Sequence, residues 1–91
     1  MSVEVNIYMN NIIKFFKSNP NELKSLVEIE KEELFYEEIR KVATENEKNG
    51  NEVSLTKKQL IDVCVKLNKG KNKYVEYEAF QNTKFGSICL N

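Results

Sequence analysis

Apolar residues at Val5, Tyr8, Met9, Ile12, Ile13, Phe15 and Phe16 recur at helical spacing and share one face, while Asn6, Asn10, Lys14 and Lys17 lie off it. The pattern predicts a first helix running to about Ser18. Val3 and Ile7 do not fit the stripe. Val3, Val5 and Ile7 alternate instead, so the extreme N-terminus has a second reading as a short strand. "NPNEL" then supplies a start signal: Asn19 as cap, Pro20 at the first helical position, Glu22 where a capping box places an acid. A short helix from Pro20 to about Val27 follows, with Leu23 and Leu26 inward and a sharp bend at Asn19.

The longest pattern spans about Glu30 to Lys48, with Leu34, Phe35, Ile39, Val42 and Ala43 as its stripe. Glu32 and Glu33 in its first turn and Lys48 in its last complement the helix dipole, and Asn49-Gly50 stops it. Val53 and Leu55 alternate with polar residues and hint at a short strand. Thr56 with Gln59 forms another capping box and starts a helix to about Asn68. There Leu60, Val63, Cys64 and Leu67 share a face that Ile61 and Val65 widen, the mark of a central, well-covered helix. Gly70 ends it. Beyond, Val75 sits between Tyr74 and Tyr77 in β-favouring company, Phe80 suits a single helical turn, and Gly86 opens "SICL", a short C-terminal strand.

The expectation is one globular domain over 1–91, mainly α with a small β element (α+β): three substantial helices, one short one and short terminal strands. The 57–68 helix is expected at the centre. The expected core is Tyr8, Ile12, Phe15, Phe16, Leu23, Leu26, Phe35, Ile39, Val42, Leu60, Val63, Cys64 and Leu67. With 91 residues, of which 41% are hydrophobic, the chain is long enough to fold alone but buries only ~60–65% of its unfolded surface. Added burial from self-association is therefore useful to it.

Charge sharpens the picture. Lys plus Arg and Asp plus Glu are 14 each, so the chain is not a strongly basic nucleic-acid binder. The distribution is uneven. Over residues 21–47, Glu22, Glu28, Glu30, Glu32, Glu33, Glu37, Glu38, Glu45 and Glu47 outweigh the four bases Lys24, Lys31, Arg40 and Lys41. Over residues 56–85, Lys57, Lys58, Lys66, Lys69, Lys71, Lys73 and Lys84 outweigh Asp62, Glu76 and Glu78. Solvated helix faces account for this; so does a basic surface for an acidic partner. No basic region followed by a long apolar run opens the chain, and no stretch approaches the ~18 apolar residues of a span, so no signal peptide and no membrane are expected. Cys64 and Cys89 read as thiols in a reducing, cytoplasmic setting.

The stretch "GNEVSLTKKQL" resembles the end of a calcium loop running into its exit helix, as does "NKYVEYEAF". A calcium loop needs oxygen ligands at its positions 1, 3 and 5, glycine at 6, an apolar residue at 8 and a bidentate glutamate at 12. With Leu55 at position 8, those first ligand, glycine and glutamate places hold Lys48, Val53 and Gln59. With Val75 at position 8, the ligand places hold Asn68, Gly70, Asn72 and Ala79, none of them a carboxylate. The two segments are also too close in sequence for paired loops. Calcium is set aside.

Other chemistry is equally thin. The chain has no histidine, which removes the commonest general base and metal ligand. Two distant cysteines do not make a zinc site, and Gly50, Gly70 and Gly86 are isolated rather than a phosphate loop. Glu32/Glu33 and Glu37/Glu38 read as solvated charges, and Cys64 as core, since no base accompanies it. No catalytic residue, metal site or cofactor is assigned. The reading is a non-enzymatic protein-interaction module. The alternative is nucleic-acid binding through Lys57 and Lys58, at a helix N-terminus, with Lys69, Lys71, Lys73 and Tyr74 serving a single strand through charge and stacking. Self-association has its own candidates: Val3 and Ile7 on an N-terminal strand, Ile88 and Leu90 on a C-terminal one, pairing within a chain or across a homodimer.

The stretches "IYMNNIIKFF", "LTKKQLIDVC" and "TKFGSICLN" resemble a family of small uncharacterised proteins from tailed phages of marine cyanobacteria. The similarity covers most of the chain and includes no catalytic motif. It implies a cytoplasmic, infection-stage protein and transfers no functional residues.

Overall fold

The computed structural model describes residues 2–68; 81% of these are helical and no strand occurs among them, which overturns the expected α+β class. The elements are α1 (Val3–Ser18), α2 (Pro20–Leu26), a 3-10 turn (Ile29–Lys31), α3 (Glu32–Lys48) and α4 (Lys57–Leu67). The strands expected around Val75 and over Ser87–Leu90 lie outside the described residues.

At the N-terminus the helix wins over the strand for local reasons. Ser2 caps α1: its Oγ accepts from the Val5 N–H at 3.1 Å and its carbonyl from the Asn6 N–H at 3.2 Å. A strand would put Val3, Val5 and Ile7 on one face. Here only Val5 is buried, in helical phase with Tyr8, Met9 and Ile12. The hint of a strand at Val53–Leu55 also fails. Leu55 is fully buried, but its N–H goes to the Tyr8 hydroxyl at 3.1 Å rather than to a partner strand.

Asn19 behaves differently from the expected cap of α2. Its Nδ2 donates back to the Phe15 carbonyl at 3.0 Å, beside its own N–H at 2.9 Å, so it closes α1. The α2 start rests on Pro20 and on the Glu22 N–H reaching the Asn19 carbonyl at 3.0 Å. The capping box at Thr56 and Gln59 is present in full.

Asn6 meets Arg40 while Phe16 meets Phe35, so α1 and α3 run antiparallel. Asn46 meets Gln59 while Glu38 meets Lys66, so α3 and α4 do too. Of the described helices it is α3, not α4, that lies at the centre, packed against α1 on one side and α4 on the other. Its Phe35, Ile39 and Ala43 are fully buried. Ile61 and Val65, which broaden the α4 stripe, are only half-buried. Phe15, Phe16, Phe35 and Tyr36 form an aromatic knot, with Phe16 edge-on to Phe35 at 5.6 Å. Val42 and Leu67, expected in the core, sit partly buried at its margin, and Leu34 turns out to solvent at 49% exposure. Val27 and Leu55 join the core from irregular segments, where periodicity carries no signal.

Two side chains fasten the end of α4 to the α2–α3 corner. Asn68 Nδ2 donates to the Leu26 carbonyl at 3.0 Å, and Lys31 Nζ donates to the Leu67 carbonyl. Both carbonyls are helix-end groups without an intrahelical partner.

Candidate interaction surface

The core face of α1 leaves an outer face that reads Val3, Ile7, Asn10, Lys14, Lys17 along the helix, with every one of these residues exposed. Val3 is 72% and Ile7 55% exposed, one turn apart, so the first half of the strip is apolar. Lys14 and Lys17 make it basic at the other end, and neither forms an ion pair among the described residues. Ser2 fixes the helix start beneath Val3, and the Arg40 to Asn6 bond at 3.2 Å holds the flank of Ile7 against α3. The strip is therefore a continuous exposed face of a capped helix. The spacing that put Val3 and Ile7 off the core stripe is the signal for it; alternation with Val5 pointed to a strand and obscured the continuation through Asn10 to Lys17.

A second apolar exposure lies at the α2–α3 corner, where Ile29 and Leu34 are about half exposed among Glu30, Glu33 and Glu37. A groove of about 280 Å³ runs between α3 and α4 over Val42 and Val63, rimmed by Glu38, Gln59, Asp62 and Lys66. Lys66 bridges to Glu38 at 3.1 Å across it, and Lys41 reaches the other Glu38 oxygen at 3.4 Å. The hydrogen bond from Lys66, ahead of the nearby lysine charges, holds the Glu38 carboxyl below its usual range. Glu38 thus ties α3 to α4 through Lys66.

The buried polar groups are likewise structural. Asn46 and Gln59 exchange amide hydrogen bonds at 2.9 and 3.1 Å, and the same Gln59 oxygen accepts from the Thr56 N–H at 2.9 Å. Among the described residues every buried side-chain nitrogen and oxygen has a partner. Burial pushes the Cys64 thiol up to about 12, far from a thiolate nucleophile. Tyr36 is raised to about 12 by burial first and then by Glu32, whose carboxylate accepts its hydroxyl at 3.2 Å.

Of the residues proposed for nucleic acid, Lys57 and Lys58 stand in the first turn of α4, half-buried and exposed respectively. Asp62 shares the exposed face of Lys58 and Lys66, and Lys66 is committed to Glu38, so this part of α4 is mixed in charge rather than basic. Lys69, Lys71, Lys73 and Tyr74 lie outside the described residues. Of the self-association residues, Val3 and Ile7 are exposed but helical, so the strand pairing expected of them has no strand on that side; Ile88 and Leu90 lie outside the described residues. No group of three or more His, Cys, Asp or Glu is placed to hold a metal, and no helix is long and apolar enough to cross a membrane, among the described residues. Comparison with family models, with curated proteins and with solved structures finds no match.

Proposed function

We propose that this chain is a non-enzymatic protein-interaction module whose binding surface is the outer face of α1. The observation that carries the reading is the exposure of Val3 and Ile7 side by side on a capped helix, continued by Asn10, Lys14 and Lys17. Apolar side chains so exposed gain free energy when a partner covers them. The lysines add a requirement of sign: the complementary segment carries aliphatic residues opposite Val3 and Ile7 and carboxylates opposite Lys14 and Lys17. The rest of the described polar machinery supports the same reading, since Asn46, Gln59, Asn68 and Glu38 are all spent on joining helices. We place the module in the cytoplasm, where a free buried Cys64 stays reduced, and take from the phage resemblance that the partner is met during infection.

Affinity capture with the intact chain and with the Val3→Ser/Ile7→Ser variant tests this. Both sites are exposed, so folding stability should change by no more than ~0.5 kcal/mol per site. A partner retained by the intact chain and lost by the variant, with the melting temperature preserved, supports the reading. Lys14→Glu/Lys17→Glu should weaken the same partner in a salt-sensitive way. Binding indifferent to both pairs, or a robust turnover abolished by one point change elsewhere, overturns it.

A further inference from the structure

We propose that Asn49 is a site of spontaneous covalent modification, closing on the backbone nitrogen of Gly50 and opening with water to aspartate and isoaspartate. Twelve asparagines occur in the chain, and Asn49 alone is followed by glycine. Glycine matters because, without a Cβ, its nitrogen is unhindered and its backbone swings freely into the geometry that ring closure needs.

The structure adds what the dipeptide alone does not show. Asn49, Gly50 and Asn51 are all exposed just past the end of α3. Gly50 takes φ +76°, and nothing stands within 4 Å of where a Cβ would be. The Asn49 amide makes no hydrogen bond to the described residues. The other described asparagines are protected in ways that can be named. Asn46 and Asn68 are buried with their amides bonded. Asn19 precedes Pro20, which has no N–H to attack with. Asn6, Asn10, Asn11 and Asn21 lie inside helices. Asn51 precedes a glutamate.

The Gly50 nitrogen gives up its proton to base and attacks the Asn49 side-chain carbonyl carbon. That C–N bond forms, the bond to Nδ2 breaks, and Nδ2 leaves as ammonia after taking a proton from water. Water then cleaves the succinimide at either carbonyl. One route yields aspartate; the other routes the backbone through the side chain and yields isoaspartate. The net exchange is amide plus water to acid plus ammonia, with no oxidant or reductant. In the resting cap the Gly50 N–H is held by the Glu47 carbonyl at 3.1 Å and the Asn51 N–H by the Asn46 carbonyl at 2.9 Å, so closure proceeds when this helix end frays.

The products disturb one particular joint. A new carboxylate at the C-terminal end of α3, beside Glu45 and Glu47, meets the negative end of the helix dipole. Isoaspartate also adds a methylene to the backbone within the turn where the Asn51 N–H reaches the Asn46 carbonyl at 2.9 Å. Asn46 is the residue that pairs with Gln59, so the α3–α4 joint loosens.

The test is to age the intact chain in mildly alkaline buffer below its melting temperature, with a parallel arm in urea and an Asn49→Gln variant. Peptide mass mapping and isoaspartyl methyltransferase labelling read the site. The expected result is conversion in the folded arm, localised to Asn49, with isoaspartate exceeding aspartate, absent in Asn49→Gln, and a lowered melting temperature in the converted fraction. Conversion only in urea, conversion first at another asparagine, or no conversion at all overturns the proposal.

Discussion

Tyr8 serves the fold with both ends of one side chain. Its ring lies in the core and its hydroxyl accepts the Leu55 N–H at 3.1 Å, closing the irregular segment before α4. Tyr8→Phe keeps the ring and leaves a buried donor unpaired, so urea denaturation should show a loss of ~1–3 kcal/mol. The ring's place was legible from helical spacing; its partner, 47 residues away, was not, because a single side-chain bond between distant segments leaves no periodic trace. Cys64 was legible as core from its apolar neighbours, and its burial fixes its chemistry. With the folded thiol raised from 9.0 to about 12, folding keeps the proton on. That contribution is intact below the ordinary thiol value and is lost as pH rises from there toward the folded one. In mildly alkaline buffer an alkylating reagent should leave Cys64 unmodified in the folded protein and modify it in urea, read by peptide mass.

The capping box that starts α4 was readable because Thr56 and Gln59 are close in sequence and their roles are set by backbone geometry alone. Gln59 does more than sequence shows, since it also holds Asn46 of α3. Thr56→Ala should therefore cost ~0.5–2 kcal/mol as the loss of a cap. Gln59→Ala should cost more, because it removes the cap's return bond and strands a buried amide on Asn46. A double-mutant cycle between Asn46 and Gln59 should give a coupling of ~0.5–3 kcal/mol in denaturant unfolding; additivity would show that the pair is not a unit. Asn19 and the N-terminus show the reverse case. Asn19 flanks two helices, and sequence does not say which one its side chain closes. Val3, Val5 and Ile7 satisfy alternation over a span too short to outweigh the Ser2 cap and the burial of Val5 with Tyr8 and Met9.

For the whole molecule, the four α-helices of the described residues lie close to where the apolar pattern put them, whereas the expected strand near Val53 and the expected packing order are not what the structure shows. The broad stripe of α4 suggested the centre, yet α3 holds it, because the narrower stripe of Phe35, Ile39 and Ala43 is sealed between two neighbours. Phe35→Ala should then cost ~3–5 kcal/mol, a large share of the ~5–15 kcal/mol that stabilises a domain, and should lower the melting temperature read by circular dichroism by roughly 4–8 °C for each kcal/mol lost. The exposed face of α1 was half legible: Val3 and Ile7 stood out from the core stripe, but on an assumed strand. Nuclear magnetic resonance tests the central claim most directly, by Cα shifts of residues 3–18 together with relaxation of the Val3 and Ile7 methyl groups by a soluble paramagnetic chelate. Helical shifts from Val3 onward, with both methyl sets strongly relaxed while those of Val5 and Ile12 are spared, is the predicted result. Extended shifts at Val3–Ile7, or Val3 and Ile7 methyls as protected as those of Ile12, would contradict it.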